Sequence, residues 1–144
     1  MEKIIEELII KGDFFEAKKS LDSIDQEQLR IILLNLGDDN NICAYSFICF
    51  LILDCKTIEY HSLASEILIH CFPHLGGYAA ALYHVRRYLQ LCPDDVDMLE
   101  MLLFFHNVPE KLVSREEAIQ VAGEILKKNP DSSHAKAIFS EEKL

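Results

Sequence analysis

The chain has no tryptophan, no Cys-x-x-Cys pair, no Asn-Gly or Asp-Gly turn, and few basic residues, 14 against 24 acidic ones in 144 positions. Each shortage excludes something. A formal net charge of −10 argues against bare nucleic acid or an anionic membrane surface as ligand, because both are held by lysine and arginine. Without hairpin dipeptides or alternating apolar runs there is no strand signal. The five cysteines are an odd, scattered set, which fits reduced thiols in a cytosol better than a disulfide framework. The start, Met1-Glu2-Lys3-Ile4-Ile5-Glu6-Glu7, carries acids where an export signal needs a basic segment followed by an apolar run. The longest apolar stretch, Ile42 to Leu53, broken only by Ser46, is well short of the roughly 20 residues that span a bilayer, and it reads as a buried helix.

Half of the residues are hydrophobic, enough for a core, and they recur three and four apart along most of the chain. The fold expected is all-α, a single domain over residues 1–144 built from eight or nine stacked antiparallel helices. Gly12 ends a first helix over about 2–11, and Asp13 begins a second to about 22. Asp25 caps a third over 26–36 with Gly37 as its stop, and the apolar helix covers 40–54. Thr57 is a candidate cap for a fifth helix over 58–71, which must end before Pro73. Gly76 and Gly77 open a sixth to about 91, and Pro93-Asp94 separates it from a seventh over 95–106. Ser114-Arg115-Glu116-Glu117 has the form of a capping box for an eighth to Lys128, Asn129-Pro130-Asp131 stops it, and a short ninth covers 132–140.

Pro93 and Pro130 lie 37 residues apart, and small or apolar residues precede each at the same offsets: Ala81, Val85 and Tyr88, then Ala118, Ala122 and Ile125. Gly12-Asp13-Phe14-Phe15-Glu16-Ala17 echoes the turn between paired helices. This spacing resembles the tetratricopeptide repeat, which implies an α-solenoid of stacked helix pairs with alanines where axes approach closely.

Charge is unevenly placed, −5 over residues 1–40, zero over 41–93 and −5 over 94–144, as expected if the central helices are covered on two sides. Acidic ends serve solubility, but Asp94-Asp95-Val96-Asp97-Met98-Leu99-Glu100 places four carboxylates in seven residues, more than a helix start requires. Asp94, Asp95, Asp97 and Glu100, with Met98, are therefore candidates for an acidic and apolar partner surface, and Asp38-Asp39 is a weaker one. Tyr83 and Arg87, four apart on one helix, are candidates for contact with a partner's acidic groups; pairing of Arg87 within the chain is the alternative.

Catalytic and metal signatures are missing. His70-Cys71-x-x-His74 is broken by Pro73, and no H-E-x-x-H, calcium loop, nucleophile elbow or phosphate loop occurs. His61, Glu66, His84 and Arg87 make an acid/base set only if the fold converges them. The expectation is a non-enzyme without cofactor.

The stretch His61-Ser-Leu-Ala-Ser-Glu66, Phe72-Pro-His74-Leu-Gly-Gly-Tyr78-Ala-Ala-Ala-Leu-Tyr83-His84-Val-Arg86-Arg87, then Leu102-Leu103-Phe104-Phe105 and Pro109-Glu110-Lys111-Leu112, resembles small helical immunity proteins encoded beside bacterial polymorphic or contact-dependent growth-inhibition toxins. The resemblance implies a cytoplasmic protein, monomer or weak dimer, that binds a cognate toxin domain, often a basic nuclease, and covers its active site. The alternative is a tetratricopeptide-like adaptor that takes a peptide or helix from a partner protein.

Overall fold

A computed structural model describes residues 1–55, 57–74 and 76–141. Among them are nine α-helices and no strand: α1 (Glu2–Ile10), α2 (Phe14–Lys19), α3 (Gln26–Asp38), α4 (Cys43–Asp54), α5 (Glu59–Cys71), α6 (Gly77–Leu91), α7 (Val96–Asn107), α8 (Arg115–Lys128) and α9 (Ser133–Ser140), with a 3-10 turn at Ser20–Ser23. The chain is all-α. No helix among the described residues is long and apolar enough to cross a membrane.

Helix ends follow local chemistry. After α1, Gly12 takes φ +79°, and its N–H and that of Asp13 return to the carbonyls of Ile9 and Leu8, so two otherwise free carbonyls are satisfied. Asp25 and Gln28 form the reciprocal capping box that opens α3. Gly37 does not end this helix. It lies buried inside α3, and the stop is Asn40 at φ 60°, with the Asn40 and Asn41 N–H groups bonded to the carbonyls of Gly37 and Leu36. Gly37 is needed for packing instead: a Cβ there would lie 2.6 Å from Cys71 Sγ, so glycine is what lets α3 and α5 approach. Thr57 does not cap α5, which starts after Ile58 without a side-chain cap. Of the expected box at α8 only half forms: Ser114 Oγ accepts from the Glu117 N–H, while the Glu117 side chain turns to Arg86.

The helices gather into two compact units, Met1–His84 and Val85–Leu144. In the first, α3 packs on α1, α4 and α5, and α4 also touches α1, α2 and α5. Its core is Ile5 and Ile9, Ala17, Leu29 with Ile32, Leu33 and Leu36, the α4 residues Ala44, Phe47, Ile48 and Leu51, and Ala64 and Ile67. Roughly 1.5–3 kcal/mol accompanies full burial of each large side chain. In the second unit α7, α8 and α9 pack on one another around Leu103, Phe105, Ala118, Ala122, Ile125 and Ile138. Ala81 and Ala118, expected at close helix contacts, are both fully buried.

The apolar helix α4 departs from expectation. Its inward face is buried, yet Ile42 is 54% and Leu53 88% exposed, and Cys49 and Phe50 are only half-buried. It is covered on one side, not two.

Candidate functional site

The acidic run at α7 is mostly engaged within its own unit. Asp95 is the N-cap, accepting from the Met98 N–H at 3.1 Å, and it also accepts from the Tyr88 hydroxyl at 2.8 Å. Asp94 stays largely exposed but meets Lys128 Nζ at 2.8 Å, and the same ammonium donates to the Asp94 carbonyl. Glu100 accepts from Ser132 Oγ at 2.6 Å, which ties α7 to the cap of α9, and His134 stands 3.8 Å away. Met98 is buried and belongs to the core. Asp97 alone of the four carboxylates is exposed with no partner among the described residues. On α6, Tyr83 is exposed with its ring edge-on to His84, and Arg87, also exposed, donates to Gln90 Oε1 at 2.5 Å and, among the described residues, not to an acid. Arg86 is the paired arginine: its two terminal nitrogens donate to the Glu117 oxygens at 2.6 and 3.0 Å. Bonding to Arg86 holds the Glu117 carboxyl below its usual range.

Of the set His61, Glu66, His84 and Arg87, only the histidines converge. The Nδ1 atoms of His61 and His84 lie 3.1 Å apart, and the Tyr45 hydroxyl stands 2.8 Å from His84 Nε2, so α4, α5 and α6 meet in a buried polar chain. A nitrogen pair at that distance holds one hydrogen between its members. Burial first, and the neighbouring His61 second, pull His84 down to about 4. Burial likewise pushes the Tyr45 phenol well above its usual value. The arrangement ties three helices together through side-chain hydrogen bonds, and burial disfavours a proton on His84.

Glu66 takes no part in that chain. With Arg30, Leu34, Asp38 and His70 it lines an open groove of about 280 Å³, where Arg30 Nε donates to both its oxygens at 2.9 and 3.0 Å and a second guanidinium nitrogen meets the same carboxylate. Beside the groove, Cys71 Sγ is 3.5 Å from Asp38 Oδ1. Burial and that carboxylate push the Cys71 thiol up to about 11, which keeps it protonated and a poor nucleophile at neutral pH. In the second unit, buried His106 faces two acceptors, the Val113 carbonyl at 3.0 Å from Nδ1 and a Glu141 oxygen at 3.3 Å from Nε2, and so holds the loop before α8 and the end of α9 to α7. Among the described residues no group of three or more His, Cys, Asp or Glu side chains converges on a metal position.

The feature that sequence reading missed is surface segregation. Among the described residues the large apolar side chains left exposed are Met1, Ile4, Ile10, Phe15, Ile31, Ile42, Leu53, Tyr83 and Leu91, all but the last in the first unit. That same unit has 13 acidic against 6 basic residues, hence −7 of the total −10. No family model, curated protein or solved structure matches the chain.

Proposed function

We propose that the chain is an interaction protein for one basic protein partner, and that it acts as an immunity protein, binding a cognate bacterial toxin domain and covering its active site. The observation that carries the reading is the coincidence of acidity with exposed apolar side chains in Met1–His84, where −7 of net charge accompanies Phe15 at 73% and Leu53 at 88% exposure. Carboxylates bring a basic domain in quickly and stand where its phosphate-bearing substrate would bind, and apolar anchors set the residence time. The protein works by occlusion in the cytoplasm, as a monomer or weak dimer, without cofactor and without catalysis of its own. Its charge turns away free nucleic acid and anionic membrane.

A tetratricopeptide-like adaptor is the second reading; of the six repeat-spaced positions Ala81, Val85, Ala118, Ala122 and Ile125 are fully buried and Tyr88 is half-buried. The experiment that separates them expresses the C-terminal domain encoded immediately upstream, with and without this chain. Growth arrest relieved by co-expression, with a one-to-one complex whose association slows as salt rises, is the result expected. An upstream domain that is harmless and does not co-purify overturns the immunity reading, and binding to short linear peptides then favours the adaptor.

A further inference from the structure

Resting on the reading of a basic partner, we infer that the partner anchors on the outer face of α4 together with Phe15, and that it presents there an amphipathic helix rich in lysine or arginine. Ile42, Ser46, Cys49 and Leu53 follow one another three and four apart, so they form a single row along α4, about 16 Å long at 1.5 Å per residue. Phe50 flanks the row, and Phe15 of α2 closes its lower end with a ring-centroid distance of 5.1 Å to Phe50, edge-on. Leu53 is 88% and Phe15 73% exposed, an unusual state for two large apolar side chains one turn and one ring contact apart, and α4 carries no charge before Asp54. Three helical turns of a partner match the length of such a row, and its i, i+3, i+4 spacing suits helix-on-helix docking.

Charge selects the occupant. Among the described residues the lysines beside the row are already neutralised, Lys18 by Asp54 and Lys19 by Glu16 at 2.7 Å, so they do not repel a cationic helix. Asp13, just ahead of α2, and Asp39, three residues before Ile42, have no partner among the described residues. A second copy of the chain would bring one unit of −7 against another, and an anionic lipid surface would meet the same repulsion. A basic helix with apolar anchors satisfies both the row and the field.

The probe is a fluorescein-labelled synthetic amphipathic helix of leucine and lysine, titrated with the purified chain in an anisotropy assay, with the matching leucine and glutamate helix as counterpart. The chain carrying Phe15→Ser and Leu53→Ser is the test variant; both positions are exposed, and circular dichroism checks that it folds. Leu91→Ser with Glu124→Gln in the other unit, both exposed, is the control. Expected is binding of the lysine helix only, weakened about tenfold or more in the test variant and unchanged in the control. Equal binding by the test variant overturns this face while leaving the basic-partner reading in place. No binding of the lysine helix, or equal binding of the glutamate helix, overturns the basic-partner reading and this face with it. Self-association of the unmodified chain in sedimentation, lost in the test variant, assigns the face to a second copy and overturns the proposal.

Discussion

Acidification is the perturbation that tests the Tyr45–His84–His61 chain. In the unfolded chain His84 takes a proton at its ordinary 6.5, whereas in the fold burial and His61 lower this to about 4. Between those values the unfolded state binds more protons, so stability is full above pH 6.5, falls as pH drops toward 4, and loses nothing further from this group below that. At about 1.4 kcal/mol per pH unit the whole interval is worth about 3 kcal/mol as a ceiling. From pH 7 to pH 5 the loss is then about 1–2 kcal/mol. Tyr45 on α4, His61 on α5 and Tyr83 beside His84 on α6 are the titratable groups packed around the ring, and protonation of both histidines would put two N–H groups head-on across 3.1 Å. Urea unfolding followed by circular dichroism at pH 7 and pH 5, at equal ionic strength, reads the loss for the natural chain and for His84→Gln. The variant should lose less than the natural chain by that amount. An identical loss in both would refute the assignment, whatever the absolute stabilities.

The α3–α5 contact predicts that Gly37→Ala destabilises by up to about 2 kcal/mol, overpacking at the upper end of about 1–3 kcal/mol exceeding the helix-propensity gain of about 1, because the new Cβ meets Cys71 Cβ at 2.8 Å as well as the sulfur; a raised Tm would contradict it. Ala118→Leu should cost about 1–3 kcal/mol in urea unfolding, since Ala118 is fully buried, and a neutral result would show that α8 can shift to make room. Asp95→Asn should leave the cap of α7 nearly intact, whereas Asp95→Ala loses about 1 kcal/mol with the Met98 and Tyr88 bonds; equal Tm values for the two would remove the capping role. Arg86→Met should cost under about 1 kcal/mol, because the Arg86 and Glu117 side chains remain 42% and 31% exposed, and a larger loss would mean that the pair is better shielded than its exposure suggests.

What the sequence made legible was whatever a few neighbouring residues decide. Asp25, Ser114, Pro73 and Pro93 mark helix ends through their own side chains or rings, and those ends fall within two residues of expectation at most boundaries. Gly37 shows the limit: glycine serves equally for a stop and for a close contact, and only the approach of Cys71, 34 residues on, tells which. His61 and His84 are 23 residues apart and meet through the packing of α5 and α6, so their pairing has no local signal. The covering of α4 is likewise a through-space fact. A run as apolar as Ile42–Leu53 looks enclosed on every side, and the exposed row emerges only once its neighbours are known to take one face.

The acidic run of α7 is largely committed within its own unit. Surplus over capping needs made Asp94, Asp95, Asp97 and Glu100 the candidates, but surplus is measured against all donors the fold supplies, and here Tyr88, Lys128 and Ser132 take up three of the four. Carboxylates engaged in this way gain less from an incoming cation, which must displace or share an existing donor. Those of α1 and of the turns around α2 and α3 are differently placed: Glu6, Glu7, Asp13, Asp22 and Asp39 have no side-chain partner among the described residues, and they share their unit with all but one of the exposed large apolar side chains. Charge reversal at Glu7 and Asp13 should therefore slow association with a basic partner more than reversal at Asp94 and Glu100, where destabilisation should dominate instead. Stopped-flow association rates for the two pairs of variants, compared at low and high salt, decide it. A larger rate loss from the α7 pair would assign the binding surface to α7.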